Sequence, residues 1–237
     1  MLLIFGGTSL LGKDIIECFE LNGEPTLSIS RSQACGNWMK GDLSSINDLI
    51  SSLKNKDLTR ITKIIFCQRY RPKDGRKYEL IEDLETMVSG PLRLLELADV
   101  IFPRLRSVIF ISSPAASYVA EEQPIGYHIT RSAIESMVRY TAVMLSSRDI
   151  AVNAIRLGYV KMNIVSNNKV RCSDTDQIVI PRGFAPSSDE IARAIYTMTQ
   201  IDTSVMTGQI FAFDAGLGLR THASLADAVR FYVSSNG

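Results

Sequence analysis

Short apolar runs alternate with amphipathic stretches from one end of this chain to the other, and that alternation limits the fold more than any other feature. Leu2–Phe5 is a four-residue apolar run of the buried-strand type, followed by a glycine-bearing turn and a helical stripe of Ile15, Ile16 and Phe19. Thr26–Ser30 and Trp38–Leu43 read as the second and third strands, with a helix around Ser45–Leu53. Ile61–Cys67 is the next strand, and Leu80, Leu84, Val88, Pro91 and Leu95 form the stripe of one long helix. Ser107–Ser112, Ile150–Arg156 and Gln209–Asp214 complete the strands. Tyr127–Ser146 puts Ile134, Met137, Val138, Thr141 and Leu145 on one helical face, and Ile191, Ala194, Ile195 and Met198 mark another helix. Strands that return through helices build a parallel sheet covered on both sides. The expected fold class is α/β, a doubly wound parallel β-sheet flanked by helices on both faces.

Neither a Pro/Gly/Ser-rich linker nor an internal repeat interrupts the pattern, so residues 1–237 read as one domain. The polar segment of about 159–184 has little periodicity and is expected to be a mobile substrate loop; about 223–233 reads as a short C-terminal helix. With 26 basic and 25 acidic residues and no run of one sign, neither nucleic acid nor an anionic membrane is an expected partner. The apolar runs are too short to span a bilayer, and the start at Leu2 has no basic leader region. Cys18, Cys35, Cys67 and Cys172 show no paired spacing and there are two histidines, so reduced thiols, no metal site and a cytoplasmic location are expected.

The first crossover carries Gly6, Gly7, Ser9 and Gly12, spaced Gly-x-x-Ser-x-x-Gly. Such a turn lets backbone amides approach a pyrophosphate at the positive end of the following helix. The second strand ends in Ser30, Arg31 and Ser32 where NAD-preferring proteins carry a carboxylate. Arg31 can pair with a 2′-phosphate and Ser32 can add a hydrogen bond, which favours NADP(H) over NAD(H); the plainer reading of Arg31 is a solvated loop cation. Farther on, "GYHITRSAI" sets Tyr127 and Arg131 four residues apart, on one face of a helix. A phenol beside a permanent cation is an acid/base pair or a structural contact.

The glycine turn, "ISS", "YHITR", "VNAIRLGYV" and "TGQIFAFDAG" occur in an order that resembles the short-chain dehydrogenase/reductase family over roughly Leu2 to Gly218. The resemblance implies a Rossmann-type fold and a site made of Ser113, Tyr127 and Arg131, with arginine in the seat of the family's lysine. It implies that Tyr127 is the general acid/base and that Ser113, fourteen residues before it, orients the substrate oxygen, with Ser112 as a stand-in. It places Gly6, Thr8, Ser9, Leu11, Gly12, Arg31, Ser32, Asp42, Leu43, Cys67, Tyr127, Arg131, Gly158 and Val160 along the cofactor, Asp42 at the adenine. The substrate implied is a small-molecule ketone or secondary alcohol, and the expected assembly is a homodimer or homotetramer.

Four departures accompany the resemblance. Arg131 supplies the lysine's charge but cannot relay a proton. Met87 stands where the family has a relay asparagine, Phe66–Arg69 ("FCQR") replaces "NNAG", and Met162 replaces a threonine near the carboxamide. Two other readings therefore stand beside an NADP(H)-dependent oxidoreductase: an inactive cofactor-binding or scaffolding protein, and a sugar-modifying epimerase or dehydratase relative. Arg69, Arg71, Lys73, Arg76 and Lys77 form a basic loop that can meet an anionic substrate group or simply be solvated. His128 reads as a packing or surface residue, and Trp38 as core.

Overall fold

The computed structural model describes residues 1–34, 36–54, 56–71, 78–160, 178–201 and 205–236. Cys35, Lys73, Arg76, Lys77, Met162, Cys172 and most of the segment 159–184 lie outside the described residues.

Seven strands form one parallel sheet: β1 (Leu2–Phe5), β2 (Thr26–Ser30), β3 (Trp38–Lys40), β4 (Lys63–Phe66), β5 (Ser107–Ser112), β6 (Ala151–Leu157) and β7 (Ile210–Phe213). Their spatial order is β3-β2-β1-β4-β5-β6-β7, so the winding reverses between β1 and β4. Such a reversal opens a crevice beyond the carboxyl ends of the strands. Among the described residues the α-helices are α1 (Leu10–Leu21), α2 (Ile46–Lys54), α3 (Leu80–Leu84), α4 (Gly90–Glu96), α5 (Ala98–Ile101), α6 (Ile125–Met144), α7 (Ser188–Thr199) and α8 (His222–Asn236). Among the described residues no helix is long and apolar enough to cross a membrane.

Alternation along the strands divides the core in two, because successive side chains leave opposite faces of a sheet. Leu3 and Phe5 join Phe66, Phe110 and the apolar sides of α2, α4 and α6. Leu2 and Ile4 join Ile65, Ile109 and the apolar sides of α1 and α7. The face Ile134, Met137, Val138 and Leu145 is buried in the first cluster, as its spacing requires. At the centre, Phe66 stacks on Phe5 with ring centroids 5.0 Å apart and on Phe110 at 4.5 Å, and the three residues share one register across β1, β4 and β5.

One helix differs from expectation. The stripe Leu80, Leu84, Val88, Pro91, Leu95 does not run along a single rod. A π-helical turn, Glu85–Ser89, separates α3 from α4, and the buried residues ahead of Pro91 are Asp83, Met87 and Gly90, while Leu80, Leu84 and Val88 are only half-buried. Pro91 has no N–H for the carbonyl four residues back and its ring crowds that carbonyl, so the helix widens upstream of it. A carboxylate is tolerated inside because the Tyr78 hydroxyl donates to it and Thr130 does the same at 3.1 Å. The third strand is also shorter than its apolar run, ending at Lys40 before a 3-10 turn at Leu43–Ser45.

Phe66→Ala empties the middle of the aromatic stack and is expected to lower unfolding free energy by about 3–5 kcal/mol in a denaturant titration. Phe66→Leu, which keeps most of the volume, is expected to cost markedly less.

Candidate functional site

The first crossover is a turn locked by packing. Gly6 has φ +90°, and a Cβ there would lie 2.6 Å from the Gln68 amide nitrogen, so only glycine lets the β1 and β4 loops close on one another. Ser9 caps α1: its hydroxyl accepts from the Gly12 amide at 3.0 Å and donates to the Gly6 carbonyl at 3.0 Å. A side chain at Gly12 would meet that same carbonyl at 2.4 Å. The first turn of α1 contains no acidic residue, so its positive end is left for an external anion. Thr8 is exposed at this edge, whereas Leu11 is buried in the second core cluster. Cys67 is buried with its Sγ 3.8 Å from the Ser9 hydroxyl, and burial pushes its thiol up to about 11, which makes it unreactive.

Beside this turn, a cavity of about 340 Å³ is lined by Arg31, Lys40, Asp42 and Asp48 among others. Asp42 accepts from the Ser44 amide at 3.0 Å and so caps the 3-10 turn, while the Leu43 side chain lies in the core. The Ser30 hydroxyl donates to the Ser32 carbonyl at 2.6 Å and accepts from the Trp38 indole at 2.8 Å. Trp38 is therefore a half-buried brace for the end of β2, not the core residue expected of it. A glycine turn, a free helix N-terminus and a cation-bearing cavity along the switch-point crevice fit the adenosine half of a nicotinamide dinucleotide.

A second cavity, of about 400 Å³, contains Tyr127 and Arg131 together with Arg69, Arg71, Tyr78 and Asp83. The Arg131 guanidinium lies 4.6 Å from the Tyr127 ring centroid and that of Arg69 lies 4.9 Å from it. Contacts of this kind contribute roughly 0.5–2 kcal/mol, more when shielded from water. Arg131 is only 4 % exposed and donates to the Ile111 carbonyl at 2.9 Å, while Arg69 donates to Gln123 at 2.8 Å. Gly126 lets the Tyr78 ring reach the helix backbone, since a Cβ there would lie 2.3 Å from the ring. Tyr78 and Thr130 both donate to the same oxygen of Asp83. Burial raises the Asp83 carboxyl above its ordinary range, against the pull of those two bonds and of Arg131 and Arg69. The same burial, reinforced by Asp83, pushes the Tyr78 phenol well up.

The remaining residues are dispersed. Ser113 directly follows β5 and its hydroxyl accepts from the Ala115 amide at 3.3 Å; it stands outside the set that walls the second cavity. Ser112 donates to buried Glu135 at 2.9 Å, and Glu135 grips Arg156 through both oxygens at 3.0 and 2.6 Å. That network leaves Ser112 structural. Gly158 sits where a Cβ would strike Asp214, and Val160 packs on the second core cluster. Met87 is buried in the core and offers no relay group. His128 accepts from the Ala120 amide at 2.9 Å and its other ring nitrogen lies 3.1 Å from the Pro124 carbonyl, pinning the loop before α6. Sequence reasoning missed Tyr78, Asp83, Glu135 and Arg156. A carboxylate inside an otherwise apolar stripe was the available signal for Asp83.

Residues 74–218 match the model of the family described as Enoyl-(Acyl carrier protein) reductase. The chain is 24% identical over 142 residues to the 3-oxoacyl-[acyl-carrier-protein] reductase FabG of Thermotoga maritima, a stretch covering 57% of each protein. The chain thus spans a little over half the length of that curated relative. Among solved structures it resembles a short chain dehydrogenase from Leptospira borgpetersenii with bound NAD+, with a TM-score of 0.73, 18% identity and coverage of 91% of each chain. It also resembles BdcA in complex with NADPH, with a TM-score of 0.72 and 15% identity over 90% of this chain and 92% of that one.

Asp83 gives the stability of this region a pH dependence of definite sign. A raised folded-state pKa means that the folded chain holds the proton more tightly than the unfolded chain. The Asp83 contribution is therefore largest below about pH 4, the ordinary aspartate value, and declines as pH climbs through the raised one. Asp83→Asn keeps an acceptor for Tyr78 and Thr130 but does not titrate. Melts of the two proteins from pH 4 to 7 are expected to show the variant losing less stability on the alkaline side.

Proposed function

Because the chain belongs to the short-chain dehydrogenase/reductase family and matches a reductase among its relatives, we propose that it is an NADP(H)-dependent enzyme that interconverts a small-molecule ketone and its secondary alcohol. The observation that carries this reading is the Tyr127 phenol, held by two guanidiniums at the wall of a cavity beyond the carboxyl edge of the sheet. When bound, the nicotinamide would supply a hydride to the carbonyl carbon. Tyr127 gives its phenolic proton to the carbonyl oxygen, so the ketone gains one hydride and one proton and becomes the alcohol. The permanent charges of Arg131 and Arg69 favour the phenolate that remains. The family resemblance gives Ser113, just after β5, the role of orienting the substrate oxygen, although it does not wall the cavity that holds Tyr127. Arg131 cannot return the proton, because guanidinium does not deprotonate, so the phenolate is refilled from water in the cavity.

At the other cavity, Arg31 and Lys40 would hold the 2′-phosphate that distinguishes NADP from NAD, against the opposing charges of Asp42 and Asp48. Asp42 would hold the adenine, and the backbone of the Gly6–Gly12 turn would hold the pyrophosphate. A second reading, a member that binds the dinucleotide without turnover, is favoured by one observation: Arg131 is buried and committed to the Ile111 carbonyl.

One variant tests the chemistry and a second tests the cofactor preference. Tyr127→Phe is expected to lower kcat about 100-fold or more in a carbonyl-reduction assay while NADPH still binds. Full activity in that variant would remove Tyr127 from proton transfer, and binding without turnover by the unaltered protein across a carbonyl panel would favour the second reading. Arg31→Ala is expected to weaken NADPH binding about tenfold and leave NADH binding nearly unchanged, measured by calorimetry.

A further inference from the structure

The Tyr127 cavity gathers more positive charge than a single Tyr127 phenolate would balance. Three arginines reach it, Arg69, Arg71 and Arg131, against the one carboxylate of Asp83. Asp83 does not offset them. Its Oδ2 is occupied by the Tyr78 and Thr130 hydroxyls, no ion pair joins it to any of the three arginines among the described residues, and burial favours its neutral form. Arg131 is 4 % exposed, uses one nitrogen on the Ile111 carbonyl and leaves its Nε buried without a hydrogen-bond partner. A buried charged donor without an acceptor is costly, and such groups in native structures need a reason. Arg69 spends one donor on Gln123 and retains others of its five N–H groups, and Arg71 stands exposed at the rim. A guanidinium fork matches the two oxygens of an oxyanion better than any neutral group.

We infer that the substrate carries an oxyanion, a carboxylate or a phosphate, beside its reactive carbonyl, and that Arg69, Arg71 and Arg131 bind it. This rests on the oxidoreductase reading for the carbonyl but not for the anion. The oxyanion fixes the carbonyl relative to Tyr127, and a neutral ketone of the same skeleton lacks that anchor. One competing source of the same chemistry is the cofactor, whose own phosphates are oxyanions, so the test must separate the two.

The experiment compares 2-oxo and 3-oxo acids with their methyl esters on the full chain with NADPH. Initial rates give kcat/KM, and calorimetry gives binding of each compound to the NADPH complex and to the chain alone. The acid is expected to exceed its ester by about tenfold or more in both readouts, with Arg71→Ala bringing the ratio towards one. A phosphonate of the same skeleton that binds more tightly than the acid supports the site and identifies phosphate as its preferred group. Esters that match or exceed the acids overturn the inference. So does an Arg71→Ala variant that loses NADPH affinity by the same factor as acid affinity, because the anion is then the cofactor's. If no carbonyl compound is reduced, the oxidoreductase reading fails, while Arg71-dependent binding of the acid over the ester still upholds the anion site.

Discussion

The column of Phe5, Phe66 and Phe110 holds the three central strands in one register, and the glycine turn, the loop bearing Arg69, and Ser113 follow the carboxyl ends of those strands. Gly6 follows Phe5 directly, Cys67 follows Phe66, and Ser112 and Ser113 lie just past Phe110. A one-residue slip in any of these strands would turn its core side chains to the opposite face and carry its loop out of alignment with the others. The closeness of Gly6 to the Gln68 backbone is one consequence of that register, and the tie from Arg131 to the Ile111 carbonyl is another. The aromatic stack is thus the datum from which the crevice is measured.

Much of this was legible in the order of residues, for a physical reason. Strands buried on both faces carry near-continuous apolar runs, so Leu2–Phe5 and Val108–Ile111 announce themselves, and the long face of α6 keeps a helical period because it packs on the sheet. What was hidden depends on partners distant in the chain. Asp83 looks like an interruption until Thr130, 47 residues away, is seen to donate to it. Arg69, read as part of a basic loop that can meet an anionic group or be solvated, also lies against the ring of Tyr127, a contact no spacing announces. The substitution at Arg131 could be read directly, but its burial against β5 could not, because a side chain's solvent exposure is set by the surrounding fold. Trp38 was misassigned for a related reason: its indole N–H needed an acceptor, and Ser30 supplied one on the neighbouring strand.

The two cavities differ in how their charges are compensated. Around Arg31 and Lys40 the cations face Asp42 and Asp48 in an open setting, where water and salt blunt every interaction. Around Tyr127 one cation is buried, a second covers the phenol, and the nearest carboxylate is committed to hydroxyl donors. The first arrangement suits recognition that tolerates adjustment. The second holds unbalanced charge in a drier place, where charge interactions are stronger.

The π turn at Glu85–Ser89 has a consequence for how this helix can change over time. A wide turn accommodates one residue more than a regular one, so it rotates the helix before it by about 100° relative to the helix after it. It lets α3 turn a polar wall towards the cavity while α4 keeps Leu94 and Leu95 in the core. Loss of a single residue here would leave an ordinary helix and swing Asp83 round to another side, with no change to any residue that touches a ligand. The phase of one helical segment, set by one extra residue and secured by Pro91, acts as a dial on the chemistry of the cavity.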